Sequence, residues 1–213
     1  MNDNNLDKKK KPFENDSKAP KIRLLSSMVL FEFLKKKRIS VTIAKRMCKE
    51  FSFIYNENKH IVLAIANVSG GYEIRNDSIS GCIGPKDISY IRNSKNEIVT
   101  TCCVFDDFID YLSYLTISNS KLINLRKQDY LILNSTEQLD FAIDILSKYN
   151  CIYCYFNDDK GGSTKHRFVL KLRSSKVNDA SIYYRDTKSL RDNLNMYMHH
   201  YPNEQPKRGR GRR

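Results

Sequence analysis

The apolar residues near the start of the chain repeat with the period of an α-helix. From Leu24 to Lys37 they recur at helical spacing. A second amphipathic set follows at positions i, i+3, i+4 and i+7, and it consists of Ala44, Met47, Cys48 and Phe51. The pattern therefore predicts two consecutive helices.

The period then changes to that of strands joined by a tight turn. The segment HIVLAIANV is a strand-like run, SGG is a turn, and GYEIRN is typical of a returning strand. Residues 22–97 are therefore predicted to form a small α+β subdomain. Residues 1–21 are polar, rich in Lys and Asn, and include two prolines, a composition that predicts a disordered basic arm.

In the second half of the chain, strand-like and helix-like segments alternate. The predicted strands are IVTTCCVF, YLILN, CIYCYF and DASIYY. The first predicted helix contains Phe108, Leu112 and Leu115, and the second begins at STEQ, which has the spacing of a capping box. The third and fourth predicted helices are STKHRFVLKL and DTKSLRDNLNMYM. Such alternation indicates right-handed βαβ units, so residues 98–198 are predicted to form an α/β domain with a parallel sheet flanked by helices.

Acidic residues follow two of these strands. Asp106 and Asp107 come directly after the first strand, with Asp110 one helical turn further on, and residues 157–159, Asn-Asp-Asp, follow the third. Because ligands bind where the carboxyl ends of parallel strands share an edge, the two acidic strand ends are expected to meet. Clustered carboxylates repel one another unless a cation neutralises them, and Mg²⁺ prefers oxygen ligands. The pattern favours a magnesium site, and the alternative is that Asp106 and Asp107 are helix N-caps.

The formal net charge of +13 is unevenly distributed. Residues 1–23 contribute +3, and the tail at residues 199–213 ends in KRGRGRR, with five basic residues and no acid. Because Arg/Gly tails bind phosphate backbones without sequence preference, the nucleic-acid-binding candidates in the tail are Arg208, Arg210, Arg212 and Arg213. This charge favours a nucleic-acid partner over a merely solubilising surface.

The hydropathy of the chain indicates its cellular compartment, and the positions of its cysteines indicate whether it binds zinc. No apolar run approaches the roughly 20 residues that cross a bilayer, and no apolar segment of a secretory signal follows the first lysines. A cytoplasmic protein with no membrane partner is therefore expected. Cys151 and Cys154 are three apart in a predicted strand and would point to opposite faces, so the cysteines are predicted to be buried thiols and no zinc is expected.

Two acidic segments resemble the motifs of Toprim domains, the fold shared by bacterial replicative primases, topoisomerases and some nucleases. FDDFIDYLSYL resembles the first motif, with Asp106 at the family's glutamate, Asp107 at its glycine and Asp110 at its second acid. YFNDDKGG resembles the second motif, with Asn157 at the first aspartate and Asp159 at the second. The resemblance implies that Asp106, Asp110, Asn157 and Asp159 hold Mg²⁺, or alternatively Mn²⁺, and that Asp106 and Asp159 are catalytic.

The resemblance covers about residues 22–198. RISVTIAKRMCKEF, GGYEIRN and GPKDIS resemble the small subdomain before Toprim in primase-like proteins of plasmids and mobile elements, and YLILNS fits the same subgroup. Arg75 and Lys86 stand in loop-like positions and are candidate contacts to nucleotide or template phosphates, the alternative being solvated surface charges. SLRDNLNMYM is similar to a later Lys-Asp-x-Asn segment, with Asp192 as its acid. The zinc-binding and helicase-binding domains of full primases are expected to be absent.

The resemblance implies a primase-like protein that makes primers by Mg²⁺-dependent nucleotidyl transfer in the replication or mobilisation of a mobile element. The expected partners are DNA or RNA, nucleotides, and replication proteins such as a helicase. Asp106 is one methylene shorter than the family's glutamate, and Asn157 carries one negative charge fewer than aspartate. These departures favour, as the alternative, a catalytically impaired Toprim protein that serves as a DNA-binding accessory. A Toprim nuclease is the third hypothesis.

Overall fold

A computed structural model describes residues 20–93, 98–120, 128–135, 138–156 and 176–180. These residues form ten strands and four helices. In chain order they are β1 Lys21–Arg23, α1 Met28–Lys36, α2 Val41–Met47, β2 Lys49–Tyr55, β3 Asn58–Ala66, β4 Tyr72–Arg75, β5 Ser80–Ile83, β6 Ser89–Ile91, β7 Thr101–Phe105, α3 Phe108–Ser120, β8 Asp129–Ile132, α4 Leu139–Leu146, β9 Cys151–Tyr155 and β10 Val177–Asp179.

The first sheet is antiparallel and has the order β1-β2-β3-β4-β5. Its strands β3 and β4 lie where the alternating pattern predicted them. The predicted second helix is wrong at its end: Phe51 lies in β2, opposite Val62 of β3. Alternation explains the difference, because Phe51 and Phe53 point to the same face of a strand and are both buried there.

The second sheet has the order β10-β9-β7-β8-β6, and β10, β9, β7 and β8 run parallel. The predicted parallel sheet flanked by helices is therefore confirmed, with an antiparallel sheet before it. The edge strand β6 is antiparallel to β8 and comes from the segment before the first acidic motif. The fourth parallel strand is β10, whose residues Val177–Asp179 pair with Ile152–Cys154. It begins two residues before the predicted DASIYY, of which residues 181–184 lie outside the described residues.

Both faces of the second sheet are covered by apolar side chains. Along β7, Cys102 and Val104 pack into a cluster that includes one face of α4. Cys103 and Phe105 point the other way, into a cluster that contains α1, α2, α3 and residues of the first sheet such as Leu63. The helices thus join the two sheets through a shared core. All six cysteines are free, and none of the helices that the structure describes is both long and apolar enough to cross a membrane.

Helix α4 begins later than the predicted capping box requires. Its first helical residue is Leu139, and Gln138 is its N-cap residue, whose side chain makes no capping hydrogen bond. The Gln138 side chain instead donates to the Lys86 carbonyl oxygen at 3.5 Å. This links the start of α4 to the loop that leaves the first sheet.

A buried glutamate in β2 fixes the chain where α1 begins. Glu50 has no exposed surface, and its Oε2 accepts hydrogen bonds from the backbone N–H groups of Ser26 at 3.1 Å and Ser27 at 2.9 Å. Its Oε1 accepts from the Arg23 Nε at 2.7 Å and from the Ser27 hydroxyl. Glu50 holds the backbone N–H groups of Ser26 and Ser27, and helix α1 starts at the next residue, Met28. The apolar pattern in the sequence begins four residues earlier, at Leu24.

Candidate active site at the carboxyl end of the parallel sheet

The strands that carry the two acidic motifs are neighbours. In the parallel pair of β7 and β9, Phe105 lies opposite Tyr155. Asp106 follows Phe105 directly, and Phe156 is the last described residue after β9. Asn157, the first polar residue of the second motif, comes two positions after the end of β9 and lies outside the described residues.

Asp107 begins helix α3. Its Oδ1 accepts hydrogen bonds from the backbone N–H groups of Ile109 at 2.8 Å and Asp110 at 3.0 Å, the contacts of a helix N-cap. The cap that sequence offered as the alternative for this pair is therefore formed by Asp107. Asp106 is half-buried, and its carbonyl oxygen accepts from the backbone N–H of Asn134 at 3.0 Å.

Asp110 lies in the first turn of α3 and has no exposed surface. A buried carboxylate requires hydrogen bonds or a cation, because its charge loses the solvation of water. The N-terminus of α3 carries a partial positive charge, which favours a negative side chain such as Asp110 in the first turn. Asp110 is thus a fully buried acid in the first turn of the helix that follows β7.

The oxygen-rich donor set fits Mg²⁺ in kind, since Asp106 and Asp110 offer hard carboxylate oxygens. Within the part of the chain that the structure describes, no three or more His, Cys, Asp or Glu side chains form a group that could hold a metal. The other two predicted ligands, Asn157 and Asp159, lie outside the described residues, as does Asp192. The four-residue ligand set stays a prediction.

A cleft of about 250 Å³ lies beside this strand end, between the first sheet and the starts of α3 and α4. Charged and polar side chains dominate its walls, and two of them, Arg75 and Lys86, are the phosphate contacts proposed from sequence. The complete lining is Glu73, Ile74, Arg75, Ser80, Gly81, Cys82, Lys86, Asp87, Asp107, Phe108, Asn134, Ser135 and Gln138.

Arg75 reaches from the first sheet to the start of α3. It is the last residue of β4 and pairs with Leu63 and Ser80, so the predicted loop position is wrong, because both neighbouring strands hold it. Its Nη2 lies 3.4 Å from the Asp107 Oδ2, and the two side chains are 28% and 26% exposed. Its Nε is buried and makes no hydrogen bond.

Lys86 lies in the loop after β5, as predicted, and its side chain is exposed. Burial raises the pKa of the nearby Glu73, while a hydrogen bond from Cys82 and the charges of Lys86 and Arg75 oppose that rise. Burial, together with Glu73, also raises the pKa of the Cys82 thiol to about 12, so this cysteine stays a thiol at neutral pH. The groups that bear positive charge on the cleft wall are therefore Arg75 and Lys86.

The loop that carries Lys86 is held by the turn after β3. Asn67 donates to the Pro85 carbonyl oxygen at 2.7 Å and accepts from the Gly71 N–H at 2.7 Å. Gly70, at φ 81°, makes the tight turn predicted for the SGG segment. Gly71 has a different role, because a Cβ there would lie 2.1 Å from the Pro85 carbonyl oxygen.

We therefore expect Gly71→Ala to displace the Pro85 loop and lower the free energy of unfolding by about 1–3 kcal/mol, as overpacking does in tight contacts. Gly81→Ala is the matched control, since a Cβ at Gly81 would meet no atom within 4 Å. Urea denaturation measures both. Equal losses in the two variants would contradict a role for the Gly71–Pro85 approach.

Sequence reasoning missed Asn134, which follows β8. Its backbone is left-handed, at φ 60°, and its Nδ2 donates to the Asp87 carbonyl oxygen at 2.9 Å and to the Ser89 Oγ at 3.1 Å. Its Oδ1 is buried without a hydrogen bond. The rule that polar residues after parallel strands gather at one edge also applies to Asn134. This residue joins the loop before β6 to the strand end that carries Asp106.

The structure thus brings Arg75 and Lys86 together in one cleft, which Asp107 also lines, whereas Asp106 and Asp110 do not line it. The structure does not describe the remaining predicted site residues, which are Asn157, Asp159, Arg208, Arg210, Arg212 and Arg213.

Comparisons with known proteins agree with this architecture. Residues 103–196 match a family model described as Toprim-like, and residues 19–84 match one described as a domain of unknown function, DUF8464. No curated protein matches the chain in sequence.

Two solved structures are similar to the chain. One is the primase fragment of the bacteriophage T7 primase-helicase protein, with a TM-score of 0.54 and 12% identity over 90% of this chain and 82% of that chain. The other comes from a structure of bacteriophage T7 lagging-strand DNA polymerase interacting with primase domains of two gp4 subunits bound to an RNA/DNA hybrid and dTTP. Its TM-score is 0.57, at 12% identity over 87% of this chain and 91% of that chain. At this identity the likeness concerns the fold. Residues 103–196 therefore match a Toprim-like domain, which an antiparallel sheet precedes, and the chain shares its fold with these primase structures.

Proposed function

We propose that this protein is a primase-like nucleotidyltransferase that makes primers on nucleic acid in the cytoplasm, during replication or mobilisation of a mobile element. The observation that supports the proposal is the cleft beside the end of β7, where Arg75 and Lys86 lie with Asp107, the residue after Asp106. Acids at a strand end and cations in the adjoining cleft are what phosphoryl transfer to a nucleic acid requires.

The residues that would hold Mg²⁺, or alternatively Mn²⁺, are Asp106, Asp110, Asn157 and Asp159. When bound, the ion supplies positive charge that stabilises the oxygens of a phosphoryl group. Asp110 belongs to this set because it lies in the first turn of α3, directly after the strand end that carries Asp106 and Asp107.

The side chains of the chain itself have three tasks in this proposal. Asp106, which is half-buried, accepts a proton from the attacking hydroxyl, and Asp159 assists it. Arg75 and Lys86 orient the phosphates of the nucleotide or the template. The basic tail, with Arg208, Arg210, Arg212 and Arg213, adds contacts to the nucleic-acid backbone that have no sequence preference. A helicase or another replication protein is the proposed macromolecular partner.

The test is a primer-synthesis assay on single-stranded DNA with Mg²⁺ and Mn²⁺ varied. Labelled product that depends on the metal is the expected result. Parallel incubation of labelled single strands with either metal detects cleavage, which would replace synthesis by nuclease activity. If neither reaction occurs, the enzymatic proposal is lost.

A catalytically impaired, DNA-binding accessory is the second candidate, and it is favoured by the shorter acid at Asp106 and the amide at Asn157. The double substitution Asp106→Glu and Asn157→Asp separates the two. Activity that arises only in the substituted protein assigns the natural chain to the binding class. Activity in both assigns it to the enzymes.

A further inference from the structure

Arg75, a basic side chain of the cleft, is engaged by an acid of the same chain. The Arg75 Nη2 lies 3.4 Å from the Asp107 Oδ2, across the gap between β4 and the start of α3. Both residues line the cleft together with Lys86. Any anion that uses Arg75 must therefore compete with a carboxylate that is already in place.

The two oxygens of Asp107 have separate roles. Oδ1 accepts the N–H groups of Ile109 and Asp110 and so caps α3, whereas Oδ2 faces Arg75. Asparagine and serine cap helices as well as aspartate does. The cap therefore needs an oxygen acceptor but not the negative charge that reaches Arg75.

The ion pair between Asp107 and Arg75 is weak. A guanidinium has five N–H donors and binds carboxylate or phosphate best through two parallel hydrogen bonds. Here the contact with Asp107 is single and long, and the Arg75 Nε is buried with no hydrogen-bond partner. Arg75 thus retains unused donor capacity, which a phosphate oxygen can satisfy better than the present carboxylate does.

We propose that Asp107 is a built-in competitor that sets the affinity of the cleft for phosphate. The carboxylate holds Arg75 until a phosphate group takes its place, and Lys86 provides the second positive charge for that group. The ligand class is the phosphate of a polynucleotide or of a nucleoside triphosphate. This inference rests on the proposed nucleic-acid function, but it concerns binding and does not require that the protein be catalytic.

The test compares Asp107→Asn with Asp77→Asn in the full chain. Asp77 is the matched control, because it pairs at 3.1 Å with Lys36 on the surface, does not line the cleft, and its substitution changes the net charge equally. Dissociation constants are measured for a single-stranded oligonucleotide, a nucleoside triphosphate and inorganic tripolyphosphate, with Mg²⁺ and again with EDTA. The oligonucleotide and the triphosphates distinguish the two sources of phosphate.

We expect Asp107→Asn to bind at least one of these ligands about five- to tenfold more tightly than Asp77→Asn, in EDTA as well as in Mg²⁺. If the ligand is the oligonucleotide, its salt dependence should also steepen by about 0.7 in log K against log salt, the effect of one added phosphate contact on a single strand. The gain should vanish in the double variant Asp107→Asn, Arg75→Gln. Asp107→Ser, which also caps the helix without charge, repeats the measurement if the asparagine variant folds poorly.

Equal binding by Asp107→Asn and Asp77→Asn for all three ligands would overturn the proposal, and so would a gain that survives Arg75→Gln. Absence of binding by every variant would overturn it as well. Failure of primer synthesis leaves these outcomes unaffected, so the enzymatic proposal and the competitor proposal fail separately.

Discussion

Asp106→Asn should lower metal-dependent primer synthesis by about a hundredfold or more, measured in the natural chain or, if only the restored ligand gives activity, in the Asn157→Asp variant. Asparagine has nearly the shape of aspartate, but its amide cannot accept the proton of an attacking hydroxyl and brings no charge to a metal. The fold should be preserved, because the substitution leaves the side-chain shape nearly unchanged and the hydrogen bond from the Asn134 N–H to the Asp106 carbonyl oxygen, at 3.0 Å, belongs to the backbone.

Asp144→Asn is the matched control for this loss. Asp144 is an exposed acid on α4 that does not line the cleft, so the same chemical change there should leave synthesis within about twofold of the parent. Initial rates of labelled primer formation, with unfolding followed in parallel, measure both variants. Asp106→Asn with the rate of its parent would remove Asp106 from the reaction.

The fold followed from the sequence because the apolar period changes where the elements change. The apolar run IVTTCCVF predicts a strand, and Cys102 and Cys103 pack into different clusters, as neighbouring residues of a strand do. The error at Phe51 has a definite cause. Its spacing from Ala44 fits a helix, but Phe51, Ser52 and Phe53 alternate as in a strand, and pairing with β3 favours the strand.

The site could be predicted only in part. Asp106 and Asp110 carry charge in a pattern that resembles a family motif, so the sequence marks them. Asn134 carries no charge, and its importance depends on the left-handed turn that follows β8. The ion pair between Arg75 and Asp107 joins the end of β4 to the start of α3, 32 positions further along the chain. No local sequence period encodes such a contact.

The stabilising contacts of Glu50 could not be predicted from the sequence either. In the sequence it is one more polar residue before FSF, and nothing nearby marks it as buried. In the structure it accepts from two backbone N–H groups, a hydroxyl and Arg23. Those donors lie 23 to 27 positions away, on the segment that leads into α1. Only the pairing of β1 with β2 brings them to the carboxylate.

Glu50→Gln should therefore lower the free energy of unfolding by about 3 kcal/mol at pH 7, since a buried charge-assisted network loses its charge. Glutamine has one oxygen acceptor in place of two, and its amide would set N–H groups against the N–H groups of Ser26 or Ser27. Glu32→Gln, at an exposed position of α1, is the control and should change stability by less than about 0.5 kcal/mol.

The effect of Glu50→Gln should depend on pH in a specific way. Burial alone would raise the pKa of Glu50, but hydrogen bonds from Ser27, Ser26 and Arg23 lower it to about 2. An unfolded glutamate titrates near a pKa of about 4.3, so the contribution of Glu50 is fully present above about pH 5 and is lost as the pH falls toward 2. Urea denaturation between pH 7 and pH 3 should show a constant gap in unfolding free energy between the natural chain and Glu50→Gln down to about pH 5, and a narrowing gap below that, while the gap to Glu32→Gln stays small. A gap that is constant with pH would mean that the carboxylate is not the source of the stability, and that the variant acts through packing alone.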